Sequence, residues 1–362
     1  MKTASRTQWI LLAGFLALTL SIRPAVAQEK VGKEVHETFS VNEQTRLTIN
    51  NKYGSIDVKN WDQKTVDVRV KLIFTDVSDK RAQELSKLIL IENHSQGNDI
   101  SFETVFDANF GESISQLSDA GKQFKIVYTI NMPHTVPANL SNKYGSIFVD
   151  KLSRASVIDL KYGSLKVNDI SSIEKSPMSE VNMAYSDGTI ETSSWLKINM
   201  KYSKLNIQES KALIILSKYS KVFIDRGSSV ISEARYDTYE VGTVANMVTN
   251  AEYSNFKFQS IGKKLNTETK YTDVKIAFMP AGFEEIKIIN RYGSYSVGLE
   301  DGASYKLNGL ANYGNIIISD NARVNRFNES NELRLEGKVG SNQNSTAQVT
   351  IDTKYGTVKL TK

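Results

Sequence analysis

The sequence predicts an all-β fold: a β-solenoid with two short strands per coil of 17–21 residues, and a small α+β insert near the N-terminus. Three observations predict it. One phrase recurs from residue 52 to residue 360: a basic residue, Tyr, a small residue, any residue, then apolar, any, apolar. Its copies return at a nearly constant period. Within each copy the apolar positions alternate as strand residues do, and they change parity at one point.

The opening residues read as an export signal. Lys2 and Arg6 precede an apolar run from Trp9 to Ile22, and Ala25-Val26-Ala27 supplies the small-x-small pattern of a signal-peptidase site. Cleavage is expected between Ala27 and Gln28. The apolar run falls short of the roughly 20 residues that a spanning helix needs. No later segment approaches that length, so the cleaved chain is expected to have no membrane span. Its expected location is extracytoplasmic: periplasm, outer cell surface or medium. The whole chain carries 45 basic and 40 acidic residues, and residues 28–362 carry 42 against 40. That near balance gives no reason to expect nucleic acid, and an exported chain meets none inside the cell. The absence of cysteine excludes disulfide scaffolds, thiolate zinc sites, a cysteine nucleophile and a lipid-modified N-terminal Cys.

The repeat begins with KYGSIDV at Lys52–Val58 and resumes with KYGSIFV at Lys143–Val149 and KYGSLKV at Lys161–Val167. AYSDGTI (Ala184–Ile190) is a weaker member, followed by KYSKLNI (Lys201–Ile207), KYSKVFI (Lys218–Ile224), RYDTYEV (Arg235–Val241) and EYSNFKF (Glu252–Phe258). KYTDVKI, RYGSYSV, NYGNIII and KYGTVKL complete the series. Twelve of the 16 tyrosines belong to this phrase. From Tyr144 the intervals are 18, 23, 17, 17, 17, 17, 18, 21, 21 and 42 residues. The last is twice 21, which predicts one degenerate coil near Leu333–Leu335.

Five residues after each Tyr the side chain is always apolar, as in Val149, Ile207 and Ile276. Six residues before Tyr it is mostly Leu, Val, Met or Ile, as in Leu196, Leu213 and Met247. These two sets have opposite parity, so the register switches near Tyr, and the Gly or Ser that follows is the expected corner. Stacked coils then form two parallel sheets around a thin core, about 4.8 Å per coil and roughly 50 Å long. Only the two ends leave backbone groups unpaired.

Residues 28–138 hold the first coil and the insert, and residues 139–362 the remaining coils. In the insert, Val66–Phe74 alternates as a strand, Asp79–Leu90 reads as a helix with Ser78 or Asp79 as N-cap, and Ile100–Val105 and Phe124–Met132 read as strands. Asp107–Gly121 is polar and reads as a surface loop. The expected role of the insert is to cap the first edge of the stack.

The run KYGSIDV followed by Asn60-Trp61-Asp62, together with the serial KYG and KYS units, resembles the bacterial putative-adhesin family of β-strand-repeat proteins, which is related to head-domain, autotransporter-like adhesins. The resemblance covers nearly all of residues 45–362. It implies a right-handed extracytoplasmic solenoid from a Gram-negative bacterium, and it brings no ligand or catalytic residue that transfers to a position of this chain.

Two columns carry the candidate sites. The residue before Tyr is basic in nine of twelve copies, among them Lys143, Lys161, Lys201, Lys218, Arg235, Lys270, Arg291 and Lys354. Its parity points outward, so stacking makes a ladder of cations about 5 Å apart. Such a ladder suits a polyanion such as a surface glycan or lipopolysaccharide phosphate; equally, the lysine stems can simply cover the corner and send their charge to water. Tyr144, Tyr162, Tyr202, Tyr219, Tyr236, Tyr253, Tyr271, Tyr292, Tyr313 and Tyr355 are expected to stack as a structural column that helps fill the core. A platform for sugar rings is the second reading. The enzyme motifs HExxH, G-x-S-x-G, the Walker loop and the calcium nonapeptide are absent, and three histidines leave little for a metal cluster. No cofactor is expected. The leading function is a non-enzymatic adhesin or structural protein of the cell envelope. The alternatives are a periplasmic stress or sensing accessory that binds an envelope protein, and a carbohydrate-active enzyme. An uncapped C-terminal edge near Lys354–Leu360 is a candidate homodimer contact.

Overall fold

A computed structural model describes residues 29–111, 123–172, 178–318 and 322–361. The signal segment with its Ala27–Gln28 junction, and the greater part of the Asp107–Gly121 loop, lie outside the described residues. The described strands join in one open 23-stranded sheet that coils around a continuous apolar interior.

The coils stack in parallel and in register with the repeat. Leu205 pairs with Val222, Ile207 with Ile224, Leu213 with Val230 and Ile215 with Ser232. The next interfaces continue the same columns through Val241 and Met247 to Phe258 and Leu265. These apolar positions are buried, and the residues between them face solvent. From Lys204 to Lys270 each coil is one strand of 15 or 16 residues, because pairing continues around the side opposite Tyr. Eight residues after Tyr the inward set breaks parity a second time, at Ser193, Ser210, Gly227, Val244 and Ile261. From Asp273 onward each coil divides into two short strands, such as Glu285–Arg291 and Ser294–Leu299.

The corner lies on the Tyr itself, not on the small residue after it. All twelve repeat tyrosines adopt φ between 51° and 67°, a left-handed conformation that costs an L-residue about 1–2 kcal/mol. This orientation aims the Tyr N–H along the stack: Tyr202 donates to the Lys218 carbonyl at 3.0 Å and Tyr219 to the Arg235 carbonyl at 3.0 Å. The small residue then turns inward. Ser203 Oγ accepts from the Ser186 N–H at 3.2 Å and donates to the Lys201 carbonyl at 2.8 Å. Ser220 repeats both bonds one coil on. From Ser186 to Thr272 the Ser, Thr or Asp there accepts from a backbone N–H of the preceding coil. In the first coils the position is Gly, and a Cβ on Gly145 would overlap the Gly54 carbonyl oxygen. Those coils approach too closely for any side chain.

The insert covers the first coil. Arg46–Asn60 runs parallel to Asp99–Phe106 in its first half and to Gln123–Met132 in its second. Thr65–Thr75 pairs antiparallel with Gln123–Met132, and Glu29–Ser40 pairs antiparallel on the outside of Thr65–Thr75. The helix spans Asp79–Ser86, with Ser78 Oγ accepting from the Arg81 N–H, and it buries Ala82 and Leu85. It stops before Ile89, which starts the strand Ile89–Gln96 instead of extending the helix.

At the other end, spatial order departs from chain order. Gln348–Lys354 lies between Glu285–Arg291 and Tyr305–Asn312, and Thr357–Thr361 lies between Ser294–Leu299 and Asn315–Ile317. The Lys354–Leu360 segment is thus paired on both sides and offers no free edge to a second chain. Leu333–Leu335 does not form a degenerate coil. It belongs to Glu332–Val339, which pairs antiparallel with Tyr305–Asn312 on one side and with Ala322–Glu329 on the other. A tight turn at Ser330 (φ 50°) reverses the chain and makes this hairpin the cap.

Candidate functional site

Bringing twelve left-handed corners into register lines up their rings. Tyr144, Tyr162, Tyr185, Tyr202, Tyr219, Tyr236, Tyr253, Tyr271, Tyr292, Tyr355 and Tyr313 follow one another with centroids 4.8–5.1 Å apart. Tyr53 begins the row against Tyr144 at 5.2 Å and is itself packed among Phe106, Phe110 and Phe124. The stack stands outside the core, since from Tyr144 onward the tyrosines are 41–57% exposed. It forms a ridge, because a left-handed residue at a corner throws its side chain away from the coil. Neighbouring rings are nearly parallel, 5–9° apart from Tyr162 to Tyr253. Each face is therefore covered by the next ring, and only edges and hydroxyls meet solvent. A sugar ring has no free face to lie on within the row.

The basic column runs beside this ridge. Lys52, Lys143 and Lys161 pair in sequence, Ala184 interrupts, and Lys201, Lys218 and Arg235 resume. Glu252, Lys270, Arg291, Lys354 and Asn312 complete it. Several cations lean on the ridge: Nζ lies 4.9 Å from the Tyr144 centroid for Lys143, 5.2 Å from Tyr219 for Lys218, 5.8 Å from Tyr271 for Lys270 and 5.3 Å from Tyr355 for Lys354. Two are neutralised. Arg235 reaches Glu252 at 3.5 Å, and Arg291 grips Asp352 with two hydrogen bonds of 3.0 and 2.9 Å. Lys161 and Lys201 have no carboxylate within ion-pair distance among the described residues.

A groove of about 570 Å³ opens where Ala184 replaces the cation, walled by Lys161, Lys201, Lys218 and Arg235. Its floor carries a polar chain in which Asn199 donates to Asn182 at 2.7 Å and Asn182 donates to Asp159 at 2.8 Å.

The far flank of the ridge carries cations that the repeat phrase hides. Lys204 and Lys221 stand two residues after Tyr202 and Tyr219, are exposed, and pair in register. Their signal is the literal repetition of KYSK inside a slot that tolerates any residue. Beneath the ridge, Asp237 occupies the inward corner position. Burial pushes its carboxyl above the ordinary range, against hydrogen bonds from Ser217 and from the Ser220 and Arg235 N–H groups. Among the described residues no group of three His, Asp or Glu side chains is placed to hold a metal ion. No helix among them is long and apolar enough to cross a membrane.

The chain is similar to solved structures of bacterial putative adhesins. One, from Parabacteroides distasonis, is 12% identical, with 68% of this chain and 97% of that chain covered and a TM-score of 0.42. A putative adhesin from Bacteroides fragilis is 12% identical over 91% of this chain and 97% of its own, with a TM-score of 0.31. A third, from Parabacteroides merdae, is 8% identical over 91% and 97%, with a TM-score of 0.34. No family model matches the chain, and no curated protein does.

Proposed function

We propose that the protein is an exported, non-catalytic adhesin of the cell envelope that holds an anionic glycan on the tyrosine–lysine ridge. The observation that carries this reading is a row of outward cations at one-coil spacing, several of them without a counter-charge, fixed beside a rigid aromatic column. Polyanions are attracted to such a row, because a ligand with several anionic groups meets several cations at once. The closed ring faces support recognition by charge and hydroxyl edges over aromatic stacking on sugars.

The test is binding of Gln28–Lys362 to an array of glycans and lipopolysaccharide across a salt series, beside a variant with Lys161, Lys201, Lys218 and Arg235 changed to Gln. Binding that weakens with salt and disappears in the folded variant supports the reading. Equal binding by both proteins, or none by either, removes it. N-terminal sequencing of the chain recovered outside the cytoplasm is expected to begin at Gln28.

A further inference from the structure

Going round the stack coil by coil, the two flanks of the ridge are cationic together at only two of the described coils. At Tyr162 the far-flank position is Ser164, at Tyr185 the pair is Ala184 and Asp187, and at Tyr236 it is the neutralised Arg235 with Thr238. At Tyr202 it is Lys201 and Lys204, and at Tyr219 it is Lys218 and Lys221. These coils are adjacent: Lys201 pairs with Lys218, Lys204 with Lys221, and the two rings lie 4.9 Å apart. Among the described residues, none of the four lysines has a carboxylate within ion-pair distance. Asp187, next to Lys204 in register, and Glu233, beside the Lys218 wall of the groove, make no ion pair among the described residues either. Lys204 Nζ sits 5.2 Å from the Phe223 ring centroid and Lys218 Nζ 5.2 Å from that of Tyr219, which steadies two of the ammonium groups without cancelling them.

We propose that these four lysines are the anchoring point of the ridge, and that an anionic polysaccharide crosses the Tyr202–Tyr219 crest there with acid groups on both flanks. This rests on the anionic-glycan reading above and adds where the chain sits and how it runs. Uncompensated cations on opposite sides of a crest are satisfied together only by a ligand that bends over it, while the neutral or paired positions beyond each side end the attraction. The crest is convex, so a flat membrane meets the ring edges and leaves both lysine rows short of their anions. A single-stranded nucleic acid draws much of its affinity from bases stacked on aromatic faces, and here those faces are closed. A flexible chain bearing carboxylates or sulfates on neighbouring sugars fits both constraints.

The experiment measures binding of Gln28–Lys362 to polygalacturonate, dextran sulfate and neutral dextran at several salt concentrations. Four variants accompany it: K201Q/K218Q, K204Q/K221Q, all four together, and a control of equal charge change at exposed lysines off the ridge, K59Q/K64Q/K211Q/K306Q. The expected result is a loss of roughly tenfold or more in the quadruple variant at low salt, with a salt dependence shallower by about 0.7 per contact removed. The control is expected to stay within about threefold, and each flank pair to cost a comparable amount. Preference between the two polyanions tells carboxylate from sulfate. Loss confined to K201Q/K218Q means the chain lies along the ladder and overturns the crossing. Equal loss in the control means diffuse attraction and overturns the anchor, although the anionic-glycan reading survives both results. Wild-type protein that binds neither polyanion removes the reading and the anchor together. All four side chains project from the surface, and matching far-UV circular dichroism confirms that the variants are folded.

Discussion

At Tyr202 the usual ranking of alanine over glycine is expected to invert. Its ring stacks on Tyr185 and Tyr219, both at 4.9 Å, and at about 0.5–1.5 kcal/mol per aromatic pair the two contacts contribute about 1–3 kcal/mol. Its backbone stands at φ 51°, which costs any residue with a Cβ about 1–2 kcal/mol. Tyr202→Ala loses the stack and keeps the strain, so it is expected to destabilise by about 1–3 kcal/mol. Tyr202→Gly loses the same stack and sheds the strain, against about 0.5–1 kcal/mol of extra chain entropy. The glycine variant should therefore be the more stable of the two by about 0.5–1 kcal/mol. Tyr202→Phe keeps the stack and should stay within about 0.5 kcal/mol of wild type. Urea unfolding followed by far-UV circular dichroism gives the global ranking. Exchange of the Tyr202 N–H, which is bonded to the Lys218 carbonyl, reads the same corner locally. An alanine variant as stable as the glycine variant would show that the corner carries no strain and that the stack alone accounts for the tyrosine.

Other substitutions probe the remaining devices. Gly145→Ala drives a Cβ into the Gly54 carbonyl and is expected to cost about 2–4 kcal/mol from overpacking and lost ladder bonds, measured by the urea midpoint. Asp237 has a folded pKa raised above its ordinary 3.8, so the folded state holds the extra proton and stability falls as pH rises from about that value through the raised one. Asp237→Ser restores the hydroxyl pattern of Ser220 and Ser254, and should flatten that pH dependence and stabilise the protein at neutral pH. Asp67 behaves oppositely. Burial raises its pKa, but the contacts with His36 (2.6 Å) and Thr38 (2.9 Å) outweigh this and lower it, so its contribution is present above 3.8 and lost as pH falls through the lowered value. Exchange in the Glu29–Ser40 strand should accelerate at acid pH in wild type and lose that response in Asp67→Asn. Removing residues 340–362 takes out a rung that is paired on both sides, and should expose residues 300–339 to limited proteolysis while Lys204–Lys270 stays protected.

The coils were legible because their register is written in columns: Leu205, Val222 and Tyr239 recur every 17 residues at positions that must be buried together. The tyrosine conformation was not legible, since sterics reserve the left-handed region mainly for Gly and Asn. The motif suggested that Gly or Ser made the turn, whereas the small residue serves the inward hydrogen bond and Tyr accepts the strain. That reversal also moved the rings from the core to the surface. Lys204 and Lys221 were not legible as a site because they occupy a slot whose other occupants include Ser, Thr, Asn and Asp. Among the described residues the edge strand Glu29–Ser40 pairs on one side only, and its charge-rich alternation is a weak signal. Order at the C-terminal end was invisible for a different reason. Every coil carries the same columns, so pattern alone does not say which coil neighbours which.

That inverted order has a consequence for when the molecule can be finished. Synthesis delivers Glu285–Leu299 and then Tyr305–Ile317, yet these two rungs do not touch along their ladders; the rung that joins them, Gln348–Thr361, is made after both. A chain still emerging can assemble its earlier coils one on another, but Tyr305–Asn312, on which the hairpin cap pairs, has no rung to stack on until Gln348–Thr361 is present. Closure of the stack thus waits on Gln348–Thr361, because a product that stops short of this segment leaves two unmatched rung faces open to any strand that fits.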